Sequence, residues 1–186
     1  MLGQPPSDAT FALDTMLEKG FTDSAIGMIW DPLVVDTARK AGAGARISVR
    51  LGGKTAACSG QPLDLDVTVK HVISGFIQPF PQENGEAIPV PCGDTVCLEC
   101  QGIAIIVNSI RTQVFHPDIF IRFGLDLGSM KLLVVKSIFH FYAGFAPVAE
   151  EILLMGAPGP LNARFTEVPY QKANLQKFPC LDNPFQ

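Results

Sequence analysis

Hydrophobic and polar positions along this chain follow three patterns: unbroken aliphatic runs, strict alternation, and helical spacing. The run Leu132-Leu133-Val134-Val135 predicts a strand buried on both faces. Lys136 ends it, and Ser137 stands at a helix N-cap position with His140 one turn further on. This grouping puts three polar side chains at the carboxyl end of a strand. Open α/β sheets bind ligands there, and a helix N-terminus favours an anion. The plainer reading is a packed strand–helix junction whose polar residues only cap it.

Upstream, Ala9, Ala12, Leu13, Met16 and Leu17 recur at helical spacing, with Ser7 or Asp8 as cap and Gly20 as stop. A buried strand, Ala25 to Trp30, leads into Asp31-Pro32, an N-cap followed by proline at the first helical position. The next helix passes through Val34, Val35 and Ala38 and ends in Arg39-Lys40, as the helix dipole favours. Two alternating strands follow, Ile47 to Leu51 and Leu63 to Ile73. Paired antiparallel, they bring arginines opposite aspartates on the outer face and leave His71 on the apolar one. The segment from Gln78 to Gly93, rich in proline and glycine, predicts no element. Thr95 to Cys100 and Ile103 to Asn108 predict strands hinged at Gln101-Gly102. His116-Pro117 opens a short helix that stops at Gly124, and Glu151 to Met155 predicts a last strand. The result is an α/β fold: a single domain with a mixed β-sheet and flanking helices. Residues 1–6 read as a loose arm and 157–186 as a surface-wrapping tail anchored by Tyr170, Phe178 and Leu181.

Composition narrows the function classes. The chain has 186 residues, 47% of them hydrophobic and 17% charged, with a mean hydropathy of +0.26, so it holds a large core or a face made for another domain or subunit. A net charge of -4 gives no footprint for nucleic acid. No apolar run reaches membrane-spanning length, and no secretory leader opens the chain, so the expected location is cytoplasmic. Five cysteines at uneven spacing fit reduced thiols rather than a disulfide framework.

Local motifs carry little chemistry. Gly53-Lys54-Thr55 resembles the end of a phosphate-binding loop, but the required upstream glycine is Ser48, so a hairpin loop is the better reading. Cys97 and Cys100, with Cys92 nearby, invite a zinc site; side chains three apart on a strand, however, point to opposite faces. His71, His116 and His140 show no metal spacing.

Several separated motifs nevertheless share one resemblance. They are Ile29-Trp30-Asp31-Pro32, Leu51-Gly52-Gly53-Lys54-Thr55, Ser59-Gly60-Gln61-Pro62-Leu63, Arg111-Thr112-Gln113-Val114-Phe115, Lys136-Ser137-Ile138-Phe139-His140-Phe141, Phe145-Ala146-Pro147, Ala157-Pro158-Gly159 and Phe178-Pro179-Cys180-Leu181-Asp182. In this order they resemble the carboxy-terminal domain of the microcystinase C (MlrC) family. The resemblance implies a zinc-dependent peptidase or amide hydrolase whose metal ligands lie mainly in a larger amino-terminal domain. This chain is expected to lack that domain, to hold no cofactor itself, and to pair with a metal-binding domain or subunit, or with its own copies. Lys136, Ser137, His140 and Arg111 are the candidate substrate-cleft residues for a peptide. The chain departs from the family pattern at Tyr142, where arginine is usual, at His116, where aspartate is usual, and at Gly3-Gln4-Pro5-Pro6, which replaces a glycine-rich loop. These departures carry an alternative: a catalytically inactive binding or interaction module that kept the fold.

Overall fold

The computed structural model describes residues 7–157, 166, 169–181 and 183. The regular elements are α1 (Phe11–Glu18), β1 (Ser24–Trp30), α2 (Pro32–Ala41), β2 (Arg46–Leu51), β3 (Leu63–Pro81), β4 (Ala87–Cys100), β5 (Ile103–Asn108), α3 (Asp118–Ile121), β6 (Leu132–Val135) and α4 (Tyr142–Phe145). They form a mixed six-stranded sheet in the order β2-β3-β4-β5-β1-β6. β1 runs parallel to both β5 and β6, while β2, β3, β4 and β5 pair antiparallel in succession. The predicted α/β class with a mixed sheet and flanking helices is the one observed.

The centre of the sheet is buried on both faces. Along β5, Ile103, Ile105 and Val107 join one core cluster, while Ala104 and Ile106 join the other. On the first face lie α1 and α2, through Leu13, Met16, Val34, Val35 and Ala38. The second face is covered by Ile119, Phe120 and Phe123 around α3 and by Phe141 and Phe145 around α4. Cys97 belongs to the second cluster and Cys100 to the first, the opposite orientation that strand geometry requires. On the outer face of the β2–β3 pair, Arg50 meets Asp64 at 3.2 Å and the Ser48 hydroxyl donates to Asp66.

Several expectations need correction. The run 132–135 is not buried on both faces: β6 is the sheet's outermost strand beside β1, and every residue of it is half-buried. No helix starts after Ser137; the chain turns through 137–141 and helix returns only for the single turn of α4. The α1 helix begins at Phe11, because Asp8 turns to a different loop. His71 is exposed rather than on the apolar face, since a register shift between Val69 and His71 breaks the alternation. The segment 78–93 is strand: β3 and β4 continue as a two-stranded ribbon whose prolines pair with one another at Pro79 and Pro89. Prolines are tolerated there because the ribbon has no further strand to bond. Residues 151–157 form no strand, and Leu153, Leu154 and Met155 are exposed. Tyr170, Phe178 and Leu181 are also exposed. Residues 1–6 and much of 157–186 lie outside the described residues. Among the described residues no helix is long and apolar enough to cross a membrane.

The ribbon matters because it carries Gln78. This side chain is fully buried, donates to the Gln113 carbonyl at 2.7 Å and accepts from the Phe115 amide at 2.9 Å. It thereby fixes the segment leading to α3, where Phe120 meets Phe145 edge-on. Replacing Phe120 by Ala should lower unfolding free energy by about 3–5 kcal/mol. Urea denaturation is the check, and a loss under about 1 kcal/mol would contradict the packing described.

Candidate functional site

The carboxyl ends of β1, β5 and β6 lie side by side, and the polar residues gather there. Asp31 follows β1 and is only 3% exposed. Its Oδ1 accepts from the Val34 amide as the cap of α2, and its Oδ2 accepts from the Gly52 amide at 2.9 Å and from Lys54 Nζ at 2.7 Å. One carboxylate therefore joins strand, helix and the β2–β3 loop.

Asp8, 1% exposed, occupies that loop from the other side. It accepts from the Lys54 and Thr55 amides and from the Thr55 and Ser59 hydroxyls, all at 2.6–2.9 Å. Burial by itself raises its pKa, but these hydrogen bonds outweigh that effect and hold it below the ordinary value of 3.8. Gly53 has a φ of +61°, and a Cβ there would sit 2.5 Å from the backbone of Gln61. The loop that resembles a phosphate cradle is thus a hairpin connection, and the anion in its amides is the chain's own Asp8.

The candidate cleft residues separate into three groups. Lys136 Nζ donates to the carbonyls of Ser7 (2.7 Å) and Ala9 (3.1 Å), tying the amino-terminal segment across the strand ends. Burial pushes this ammonium down from 10.5 to about 8, against the opposing pull of Asp8. Arg111, three residues beyond β5, stacks its guanidinium 4.0 Å above the Trp30 ring, and the indole N–H donates to the Ser109 carbonyl at 3.0 Å. Ser137 and His140 converge on a single atom, Gln113 Oε1, at 3.2 and 3.4 Å, joined by the Ile138 amide at 3.4 Å. A backbone N–H can only donate, so the contact with Ile138 fixes the Gln113 atom as oxygen. His140 then donates from Nδ1 and keeps Nε2 as a free acceptor. Its ring stands edge-on to Phe80 at 5.5 Å and beside Phe115 at 6.0 Å.

Gln113 and Gln78 are the organising residues that sequence reasoning passed over. Gln113 lay inside a quoted motif without a role, and Gln78 lay in the stretch read as loop. Asp31 showed itself only as a helix cap. Just before α3, whose N-cap is Pro117, His116 Nδ1 accepts from the Asp118 amide at 3.2 Å.

The donor set for a metal is poor. Among the described residues no group of three His, Cys, Asp or Glu side chains is placed to hold an ion. Burial pushes the thiols of Cys92 and Cys97 up to about 11 and 12, the reverse of what a thiolate ligand needs. Zinc therefore does not fit these residues, and no chemical step through it is assigned to them.

Two pH effects follow from these bonds. Asp8 has a depressed folded-state pKa, so its contribution is complete above 3.8 and is lost as pH falls through the folded value. Asp8→Asn should cost roughly 1–3 kcal/mol at pH 7 and flatten the acid limb of the stability curve. An unchanged acid limb in urea titrations would refute the cage. Lys136 acts in the opposite sense. From about pH 8 to 10.5 the unfolded chain binds more protons than the folded one, so stability rises with pH over that window. In Lys136→Met the rise should disappear; the same slope in both proteins would refute the buried ammonium.

Comparison with known proteins agrees with this architecture. Residues 5–172 match the family described as MlrC C-terminus. Microcystinase C from Sphingomonas sp. is 35% identical over 142 residues, covering 76% of this chain and 27% of that protein. A crystal structure from Mesorhizobium sp. BNC1, described as a candidate metallopeptidase, superposes with a TM-score of 0.73 at 25% identity, over 83% of this chain and 31% of that one. The chain thus spans less than a third of the length of either relative. The matched segment runs from the Asp8 cage through the strand ends to the residues beyond α4, and on that evidence the chain belongs to the MlrC C-terminal family.

Proposed function

We propose that this domain is the carboxy-terminal part of an MlrC-like zinc-dependent peptidase or amide hydrolase, and that it forms one wall of the substrate cleft. The observation that carries the reading is the cluster at the carboxyl edge of the sheet in which the half-buried Gln113 and Ser137 support the exposed His140. Zinc, held by a metal-binding domain or subunit, would supply the activated water and polarise the scissile carbonyl. The residues described here bind and orient. Gln113 holds the Ser137 hydroxyl and the His140 ring in place, and His140 Nε2 offers an acceptor for a substrate or product N–H. Phe80 and Phe115 stack at 4.4 Å and give that imidazole an apolar backing. Five free cysteines, three of them buried, support a cytoplasmic setting.

The test is peptide hydrolysis by this chain joined with the family's metal-binding portion, with elemental analysis run in parallel. Zinc should copurify with the assembly and not stoichiometrically with this chain alone. His140→Ala should lower kcat/KM of the assembly by roughly tenfold to a hundredfold, the range of a lost positioning contact. Stoichiometric zinc on the isolated chain would overturn the division of labour. A zinc-loaded assembly without turnover would leave the inactive binding module, whose departure at Tyr142 then gains weight.

A further inference from the structure

We propose that Arg111, stacked on Trp30, is an anchor for a peptide carboxylate. This deepens the reading of the domain as a cleft wall and rests on it. A guanidinium held 4.0 Å over an indole ring still directs the N–H groups of its edge in its own plane, the geometry that pairs with a carboxylate. Here that edge has no anionic partner: none of the ion pairs among the described residues includes Arg111. The carboxylate beside Trp30, Asp31, is already used by Val34, Gly52 and Lys54.

Two further atoms point the same way. Arg111 Nε and Asn108 Oδ1 are both buried without a hydrogen-bond partner, and Asn108 is only 1% exposed. The large majority of buried side-chain polar atoms are paired in folded proteins, so an unmatched donor and an unmatched acceptor three residues apart call for an explanation. Both atoms are closed to solvent, so binding has to turn these side chains outward; a peptide terminus then supplies the complement, because its carboxylate accepts and the adjoining amide N–H donates. The location agrees as well, since both residues leave the carboxyl end of β5, where open α/β sheets receive ligands.

Trp30 is the only tryptophan in the chain, so its emission reports on this pair directly. The full chain is titrated with N-acetyl-dialanine, with its carboxy-terminal amide, and with N-acetyl-glutamate α-amide, which carries only a side-chain carboxylate. At least one acid should give a saturable change in Trp30 emission, and the uncharged amide should bind about tenfold more weakly or worse. Arg111→Gln should abolish the response and Arg111→Lys should weaken it by about tenfold, since lysine lacks the planar fork. An equal response to acid and amide, no response to either acid, or an unchanged titration in Arg111→Gln overturns the proposal. If far-UV circular dichroism shows Arg111→Gln unfolded, Arg111→Lys decides, and an unchanged affinity there overturns it. The measurement needs no metal domain. Its failure therefore leaves the zinc-dependent hydrolysis of the assembly standing, and loss of that hydrolysis leaves a positive titration standing.

Discussion

The buried carboxylate of Asp31 is the constraint on which the polar end of the sheet depends. A lone ionised group removed from water is costly unless its oxygens are matched. Asp31 meets that requirement with three donors taken from two parts of the chain: the Val34 amide in the first turn of α2, and the Gly52 amide and Lys54 ammonium in the loop after β2. Because the bonds are mutual, the position of the loop is set by the end of β1. The loop in turn presents its amides to Asp8, so the amino-terminal segment is placed by the same carboxylate at one remove. That segment then offers its Ser7 and Ala9 carbonyls to Lys136 beyond β6.

This chain of bonds explains why a sheet with two apolar faces can carry a polar site at all. The helices and phenylalanines occupy both faces, so chemistry is confined to the strand ends. Most of the polar groups there are consumed in holding the ends together, and Lys136 is one of them. What remains turned outward is narrower than the sequence motifs imply. Ser137 and His140 stand on one glutamine oxygen, and Arg111 stands on the single indole. The two sets come from different strands: His140 follows β6, and Arg111 follows β5.

Much of the fold was legible because its signals are local. Asp31-Pro32 caps α2 as read, the alternation of 46–51 against 63–69 gives the right antiparallel pair, and Gln101-Gly102 is the hinge between β4 and β5. The failures share a physical cause. An unbroken aliphatic run reports apolar neighbours and not their number, so 132–135 looked central although it is the sheet's last strand. Proline and glycine mark turns on average, yet a free two-stranded ribbon tolerates both, and the 78–93 segment was misread for that reason. The register shift that exposes His71 depends on the partner strand and leaves no trace in β3 itself. The candidate site was half visible: position at a strand end singled out Ser137 and His140 and motif membership singled out Arg111, whereas Gln113 and Gln78 work through long-range amide bonds that no spacing rule encodes.

The Gln78 clamp sets a parity rule on how the ribbon can vary. Successive side chains of a strand point to opposite sides, so one inserted residue between the sheet and position 78 would turn the amide outward and release the 113–115 segment. Two inserted residues would restore its facing but carry it a full strand repeat, about 6.6 Å, beyond its partners. Length can therefore change only past Gln78, toward the 82–86 tip, where added residues leave both bonds in place. Viable members of the family that share this clamp are then expected to differ in how far the ribbon extends and to agree in the distance from its root to the glutamine.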